Sequence, residues 1–297
     1  MFSKSGEIDI TVDSDRCIRC GACEASCPSR ILSWEADELR VSNPGRCIGC
    51  GHCVAVCADS ALSHSELPAE KFVEIENPES LDREELKKLF IERRSCRRFL
   101  DEPVSRDQVD KLIDIARWAP TSTNSQNIRF MVFQGRDAVR ELAVETSRHY
   151  LALQRQLANP IVRFGIGLKV GRKTVAAYRL RMPAIVEMFT RTLAGEDDRL
   201  FYNASSVMLL FSSGLPHLAN AGCNLAAMEI LLAAQSMDLG ACFNGYALTA
   251  LIRDRKMRER FDIPKGYTVG AVIAVGKPDG VFYRVPPRNK RRVIWRG

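Results

Sequence analysis

Eight of the eleven cysteines fall in two runs of identical spacing, CIRCGACEASC at 17–27 and CIGCGHCVAVC at 47–57. Few patterns restrict a chain more tightly. Three cysteines at two-residue intervals wrap a loop around one corner of an iron–sulfur cubane, while the fourth, three residues on, points away and ligates a second cubane. The spacing therefore assigns Cys17, Cys20, Cys23 and Cys57 to one [4Fe–4S] centre, and Cys47, Cys50, Cys53 and Cys27 to the other. Gly21 and Gly51 allow the tight loops that bring backbone amides towards the sulfurs. Structural zinc is the alternative, but zinc sites take four ligands in two pairs rather than four closely spaced ones twice over. His52, inside the second run, reads as a surface residue or one that only supports the ligands, because the cysteines already complete both sets.

Such clustering indicates metal ligation in a reducing compartment rather than a disulfide framework, so a cytoplasmic location is expected. The scattered Cys96, Cys223 and Cys242 read as ordinary buried or semi-buried thiols. No run of about eighteen apolar residues is present to span a bilayer, and the opening MFSKSGEIDI lacks the apolar stretch of a secretory signal. The net charge of +7 hides an asymmetry: residues 1–66 carry six basic and ten acidic side chains, a net −4, and residues 67–297 carry 37 and 26, a net +11. The positive charges are dispersed and no nucleic-acid-binding signature accompanies them, so nucleic acid is not an expected partner.

At 297 residues two domains are the natural expectation. The cysteine-rich part occupies 1–66, SELPAEKFVEIENPES supplies prolines and charges for a linker over 67–80, and a larger domain fills 81–297. Ser80 is the expected N-cap of a helix holding Leu86, Leu89 and Phe90, and Ser105 with Gln108 forms a capping-box pattern before Val109, Leu112 and Ile113. Apolar runs at 128–133, 206–211 and 269–275 have strand length, and a long helix is expected over 219–238. The 135–200 stretch reads as mostly helical, a lid or a substrate-facing insertion. Helices interleaved with a few buried strands predict an α+β or α/β domain.

Residues 13–66 resemble a bacterial two-cluster ferredoxin, departing from it at Ala58, where that family has proline. Further on, Arg93, Arg94, Ser95 and Arg97 gather three guanidiniums and a hydroxyl within five residues. That combination suits an oxyanion, although a solvated helix C-terminus would also favour it. The segment RRSCRRF, then APTSTNSQ, then LGACFNG, then PPRNK together resemble the FMN-dependent nitroreductase family over most of 81–297. The resemblance implies an α+β fold and a homodimer with FMN at its interface. By position, Arg93, Ser95, Arg288 and Lys290 would hold the phosphate, Arg94 would lie along the ribityl side, and Arg97 would approach the pyrimidine side of the ring. Thr121, Ser122 and Asn124 would reach the flavin from the second copy, and Phe243, Asn244 and Gly245 would lie beside its reactive edge. Asn127 replaces the common proline after Gln126, and Asn244 stands where some members have glutamate.

A flavin needs no protein nucleophile, since the cofactor carries the chemistry. The resemblance thus implies an oxidoreductase that passes electrons between two [4Fe–4S] clusters and FMN to reduce a small-molecule acceptor, a nitroaromatic, a quinone or a similar conjugated compound. Reductive dehalogenation, flavin-consuming cofactor synthesis and a non-catalytic redox sensor or shuttle are the alternatives. No GxGxxG lies between a strand and a helix, so NAD(P)H would react by stacking on the flavin, and reduced ferredoxin is an equal candidate for donor.

Overall fold

The spacing of the two cysteine runs reappears in the backbone of the computed structural model, which describes residues 8–36, 38–75 and 82–297. Left-handed φ angles recur thirty residues apart: 59° and 60° at Arg19 and Gly49, 73° and 72° at Gly21 and Gly51, 50° and 48° at Arg30 and Ser60. Each glycine opens a short helix, α1 (Ala22–Ser26) or α2 (His52–Ala55). Strands β1 (Ile10–Val12) and β4 (Leu62–His64) pair antiparallel, as do β2 (Leu32–Glu35) and β3 (Glu38–Val41). The core they enclose is small: Ile8, Ile10, Ile31, Leu32 and Leu62, with Cys23 and Cys53 among them. A core of this size rarely supplies more than about 3–5 kcal/mol, so such units usually depend on a metal or disulfide. Leu67 and Phe72, in the stretch expected to be linker, stand over Gly51 at 3.2–3.3 Å from where a Cβ would lie.

By contact density the chain divides into one unit drawn from residues 1–81 with Thr121–Gln126, and a second formed by Asp82–Pro120 and Asn127–Gly297. In the second, helix α3 (Arg83–Glu92) is capped by Asp82, whose side chain accepts from the Glu84 amide at 2.7 Å. This corrects the expected Ser80, which lies outside the described residues. Ser105 and Gln108 close both bonds of a capping box on α4 (Arg106–Ala116), as expected. Then come β5 (Ile128–Gln134), α5 (Arg136–Ala158), α6 (Pro160–Val170), α7 (Arg172–Ala194), β6 (Ser206–Ser212), α8 (Pro216–Ser236), β7 (Gly240–Phe243), α9 (Gly245–Arg253), α10 (Arg255–Arg260) and β8 (Thr268–Gly276). The expected strands and long helix are all present, and 135–200 is mostly helical.

The sheet has the order β5–β6–β8–β7 and is antiparallel throughout, which makes the unit α+β. Every residue of β6 is buried, because helices cover both faces. Val207, Leu209 and Phe211 join Leu142, Phe189 and Leu251 from α5, α7 and α9, whereas Met208 and Leu210 join Leu112, Ala226 and Ile230 from α4 and α8. Gly270 sits at the register shift between Leu210 and Phe211, and a Cβ there would lie 2.4 Å from the Cβ of Cys223 on α8. Cys223 is therefore a packing residue, fully buried, its thiol pushed up to about 11 by burial. Gly270→Ala should destabilise this unit by about 1–3 kcal/mol, since neither strand nor helix can retreat without opening the core. Denaturant unfolding measures this; an unchanged midpoint would show that the α8–β8 contact yields.

Candidate cofactor sites

In the first unit the structure brings Cys27 to the second cysteine run. Cys27, Cys47, Cys50 and Cys53 line one small cavity with His64, and burial together with the thiols of Cys50, Cys47 and Cys27 pushes the Cys53 thiol up to about 11. Burial likewise raises Cys23, with Cys17 and Cys20 adding to it. Thiols crowded in this way keep their protons unless a cation replaces them, which is what a coordinating metal does. Among the described residues no three His, Cys, Asp or Glu converge as a single ion requires. A cubane asks for no such convergence, since it takes one thiolate at each iron.

Two backbone amides face sulfurs, one of them inside the second cysteine loop. The Gly49 amide donates to Cys47 Sγ at 3.3 Å and the Ala61 amide to Cys57 Sγ at 3.2 Å. His64, missed in the sequence, is buried on β4. Its Nδ1 accepts from the Glu66 amide at 3.1 Å, which leaves the hydrogen on Nε2, 3.5 Å from Cys47 Sγ. Thirty residues earlier, Trp34 has its Nε1 buried without a hydrogen-bond partner, a donor that a cluster sulfur would satisfy. The cysteine set and these donors fit iron–sulfur clusters, while His52 is exposed at the start of α2.

In the second unit the segment after α3 runs beside the edge strand β7. Ser95 bridges Ala241, and the Cys96 amide donates to the Ala241 carbonyl at 3.0 Å. The edge thus aligns the basic cluster. Burial and the charges of Arg94 and Arg288 lower the Arg93 guanidinium, and its Nε is buried with no partner. Arg94 instead turns back on the helix end, donating to the carbonyls of Arg93, at 2.7 Å, and Ile91. Of the two readings of the cluster, Arg94 takes the helix-terminus role and Arg93 has the environment for an anion. Lys290 is exposed on the same terminal segment as Arg288.

A cavity of about 480 Å³ opens beside β7, lined by Arg97, Cys242, Phe243, Asn244 and Gly245, and by Tyr150, Ala177, Arg181, Ile185, Tyr202, Tyr246 and Thr249. As the first residue of α9, Gly245 has an amide outside the helix's own ladder. Asn244 caps that helix: its Oδ1 accepts from Ala247 at 2.9 Å and its Nδ2 donates to the Leu200 carbonyl at 2.6 Å. Both ends of its amide thus help to hold the loop. Cys242 is a buried thiol, as expected: burial raises it, against the opposing pull of Arg97, a hydrogen bond from Ser95, and Arg93. Arg97 also bonds Tyr202.

Thr121, Ser122 and Asn124 are not among the cavity's lining residues and belong to the first unit. There Thr121 Oγ1 accepts from the Gln126 amide at 2.9 Å, and Asn124 Nδ2 donates to the Gly49 carbonyl at 2.7 Å. Tyr150, Arg181 and Tyr202, missed in the sequence, carry no local signal, because only the packing of α5, α7 and β7 assembles them. Tyr246 and Cys242 flank the FNG triplet and were within reach of its spacing.

A sheet with helices on both faces, an arginine-rich edge and a cysteine module ahead of it define a two-part iron–sulfur oxidoreductase. Residues 91–277 match the family model described as the nitroreductase family, and residues 9–58 match a 4Fe-4S dicluster domain. The chain belongs to the nitroreductase family, with a ferredoxin-type dicluster domain fused ahead of the family domain. Among solved structures, an FMN-bound nitroreductase from Bacteroides fragilis is 15% identical with a TM-score of 0.53, over 71% of this chain and 99% of that one. That likeness agrees with the fold. An FMN-bound nitroreductase from Desulfitobacterium hafniense is 24% identical over 72% of this chain and 100% of that one, with a TM-score of 0.49. A BluB-like flavoprotein from Clostridium difficile is 17% identical over 70% and 94%, also with a TM-score of 0.49. None of the curated proteins matches the chain. Among the described residues no helix is long and apolar enough to cross a membrane.

Proposed function

We propose that two [4Fe–4S] clusters in the first unit exchange electrons with FMN in the second, and that the assembly reduces a nitroaromatic, a quinone or a similar conjugated acceptor in the cytoplasm. The observation that carries this reading is the buried, unpartnered Nε of Arg93 beside Arg94 and Arg288. Like charges gathered around a buried donor are unfavourable unless an anion joins them. A terminal monophosphate is compact, carries enough charge and offers several acceptor oxygens, which favours FMN over FAD. Ser95 and Lys290 would complete its contacts.

When bound, FMN supplies hydride transfer to an acceptor and single-electron exchange with a cluster. The protein's part is placement. Arg97, held by Tyr202, sets a cation where it would stabilise the anionic reduced ring. The Gly245 amide, kept in place by the Asn244 cap, offers a donor at the cavity wall. We further propose a homodimer in which Thr121, Ser122 and Asn124 of one copy meet the FMN of the other. Asn124 would use its Oδ1, since its Nδ2 is engaged by Gly49. Exposed Leu218 and Leu225, two turns apart on α8, are consistent with a covered face.

Anaerobic absorbance with iron and FMN analysis tests the cofactors, and turnover with NAD(P)H or reduced ferredoxin against nitroaromatics and quinones tests the reaction. Arg93→Ala and Arg288→Ala should each weaken FMN about tenfold or more, the worth of one charge-assisted contact. Unchanged flavin content after dilution in both variants would remove these residues from the site.

A further inference from the structure

We infer that the cavity selects acceptors bearing a carboxylate, and that Arg181 holds that group; this rests on the flavin reading above and names its substrate class. Arg97, the other guanidinium at the wall, already bonds Tyr202. Arg181 has no carboxylate partner among the described residues. Some helical arginines of this unit find one within a turn, as Arg106 does in Asp110, Arg148 in Glu145 and Arg255 in Glu259, but Arg181 alone among the unpaired ones lines the cavity. The corresponding neighbours of Arg181 include Ala177, Ala184 and Ile185, none of them able to pair.

Charge extends the argument. No Asp or Glu lines the cavity, and none occurs in the sequence between Glu145 and Glu187, the stretch that contributes Tyr150, Ala177, Arg181 and Ile185 to the wall. Arg181 is exposed, and with Arg97 it leaves a lining that carries positive charge only, which draws an anion to the cavity. Its planar fork matches a carboxylate with two parallel bonds.

Part of the lining is aromatic and fixed. Tyr150 stacks on Phe189 with centroids 4.8 Å apart and planes 12° apart, and Tyr246 meets both edge-on at 5.4 and 5.7 Å. The Tyr150 hydroxyl donates to the Tyr246 carbonyl at 3.3 Å, tying α5 to α9. A lining of fixed rings suits a flat, conjugated molecule, and Arg181 in the same lining would receive its anionic group.

The test uses the full-length protein loaded with clusters and FMN, with dithionite-reduced methyl viologen as one-electron donor. The two acceptors differ in one group: 4-nitrobenzoate and 4-nitrobenzamide. Each nitro group takes up two electrons from the viologen and two protons from buffer to reach the nitroso level, releasing one water. The ratio of kcat/KM, carboxylate over amide, should fall about tenfold or more in Arg181→Gln and recover in part in Arg181→Lys. A ratio that does not move in Arg181→Gln overturns the proposal. With NADPH as donor in a parallel assay, a rise only in its KM does so too, since it would give the site to a dinucleotide phosphate. Calorimetric binding of benzoate to the oxidised protein is the second measurement, expected in the wild type and lost in Arg181→Gln. If wild type binds benzoate through Arg181 yet reduces neither acceptor, the reductase reading fails and the carboxylate site stands. If benzoate does not bind, the site itself fails.

Discussion

Cys57→Ser is expected to remove the cluster whose other ligands are Cys17, Cys20 and Cys23, taking iron from about eight to about four atoms per chain. The basis is the company Cys27 keeps: it lines the cavity of Cys47, Cys50 and Cys53, not that of its own run. Crossed ligation then leaves Cys57 to the first run. The electron paramagnetic resonance spectrum of reduced Cys57→Ser should match that of Cys20→Ser and differ from that of Cys50→Ser. A match with Cys50→Ser would sink the crossed assignment. The two sites are distinguishable in principle, because His64 faces Cys47 and Trp34 occupies the equivalent position in the other half. Hydrogen bonds to sulfur are among the levers on cluster potential.

The second large effect concerns electron delivery. If the clusters feed the flavin, joining them covalently raises their effective concentration to about the millimolar range, and the opposite charges of residues 1–66 and 67–297, −4 and +11, favour encounter. Flavin reduction after rapid one-electron reduction of the clusters should then be first order and independent of protein concentration. In Cys20→Ser/Cys50→Ser, with FMN content unchanged, it should slow by about a hundredfold or more. Equal rates in the two proteins would mean that electrons reach the flavin by another path.

What the sequence disclosed depends on the range over which each signal acts. The cysteine runs, the Ser105 capping box and the apolar strand segments are local patterns, and each appears where its spacing puts it. The cap at Asp82 was missed because Ser80 and Asp82 are both good caps, and only backbone geometry chooses between them. Asn244 was legible as a loop residue, yet its bond to Leu200 spans 44 positions and shows that it holds the loop. The cavity wall is further still from local reading. Tyr150 and Arg181 come from helices whose sequences carry no motif, and they meet Arg97 only because the sheet order carries the chain back past β7. His64 lay outside both cysteine runs, and only the pairing of β4 with β1 and the bond to Glu66 orient its ring.

The first unit is discontinuous, with Thr121–Gln126 grouped among its residues and Asn124 bonded to Gly49 inside the second cysteine loop. The small module is therefore not one continuous stretch of chain. A chain shortened to begin at 82 would keep this hexapeptide while losing the carbonyl its amide serves, so a shortened enzyme differs from the whole by more than its missing clusters. Seen as inheritance, the same bond joins residues 75 positions apart within one unit. A substitution at Asn124 would touch the cluster loop without altering a single cysteine.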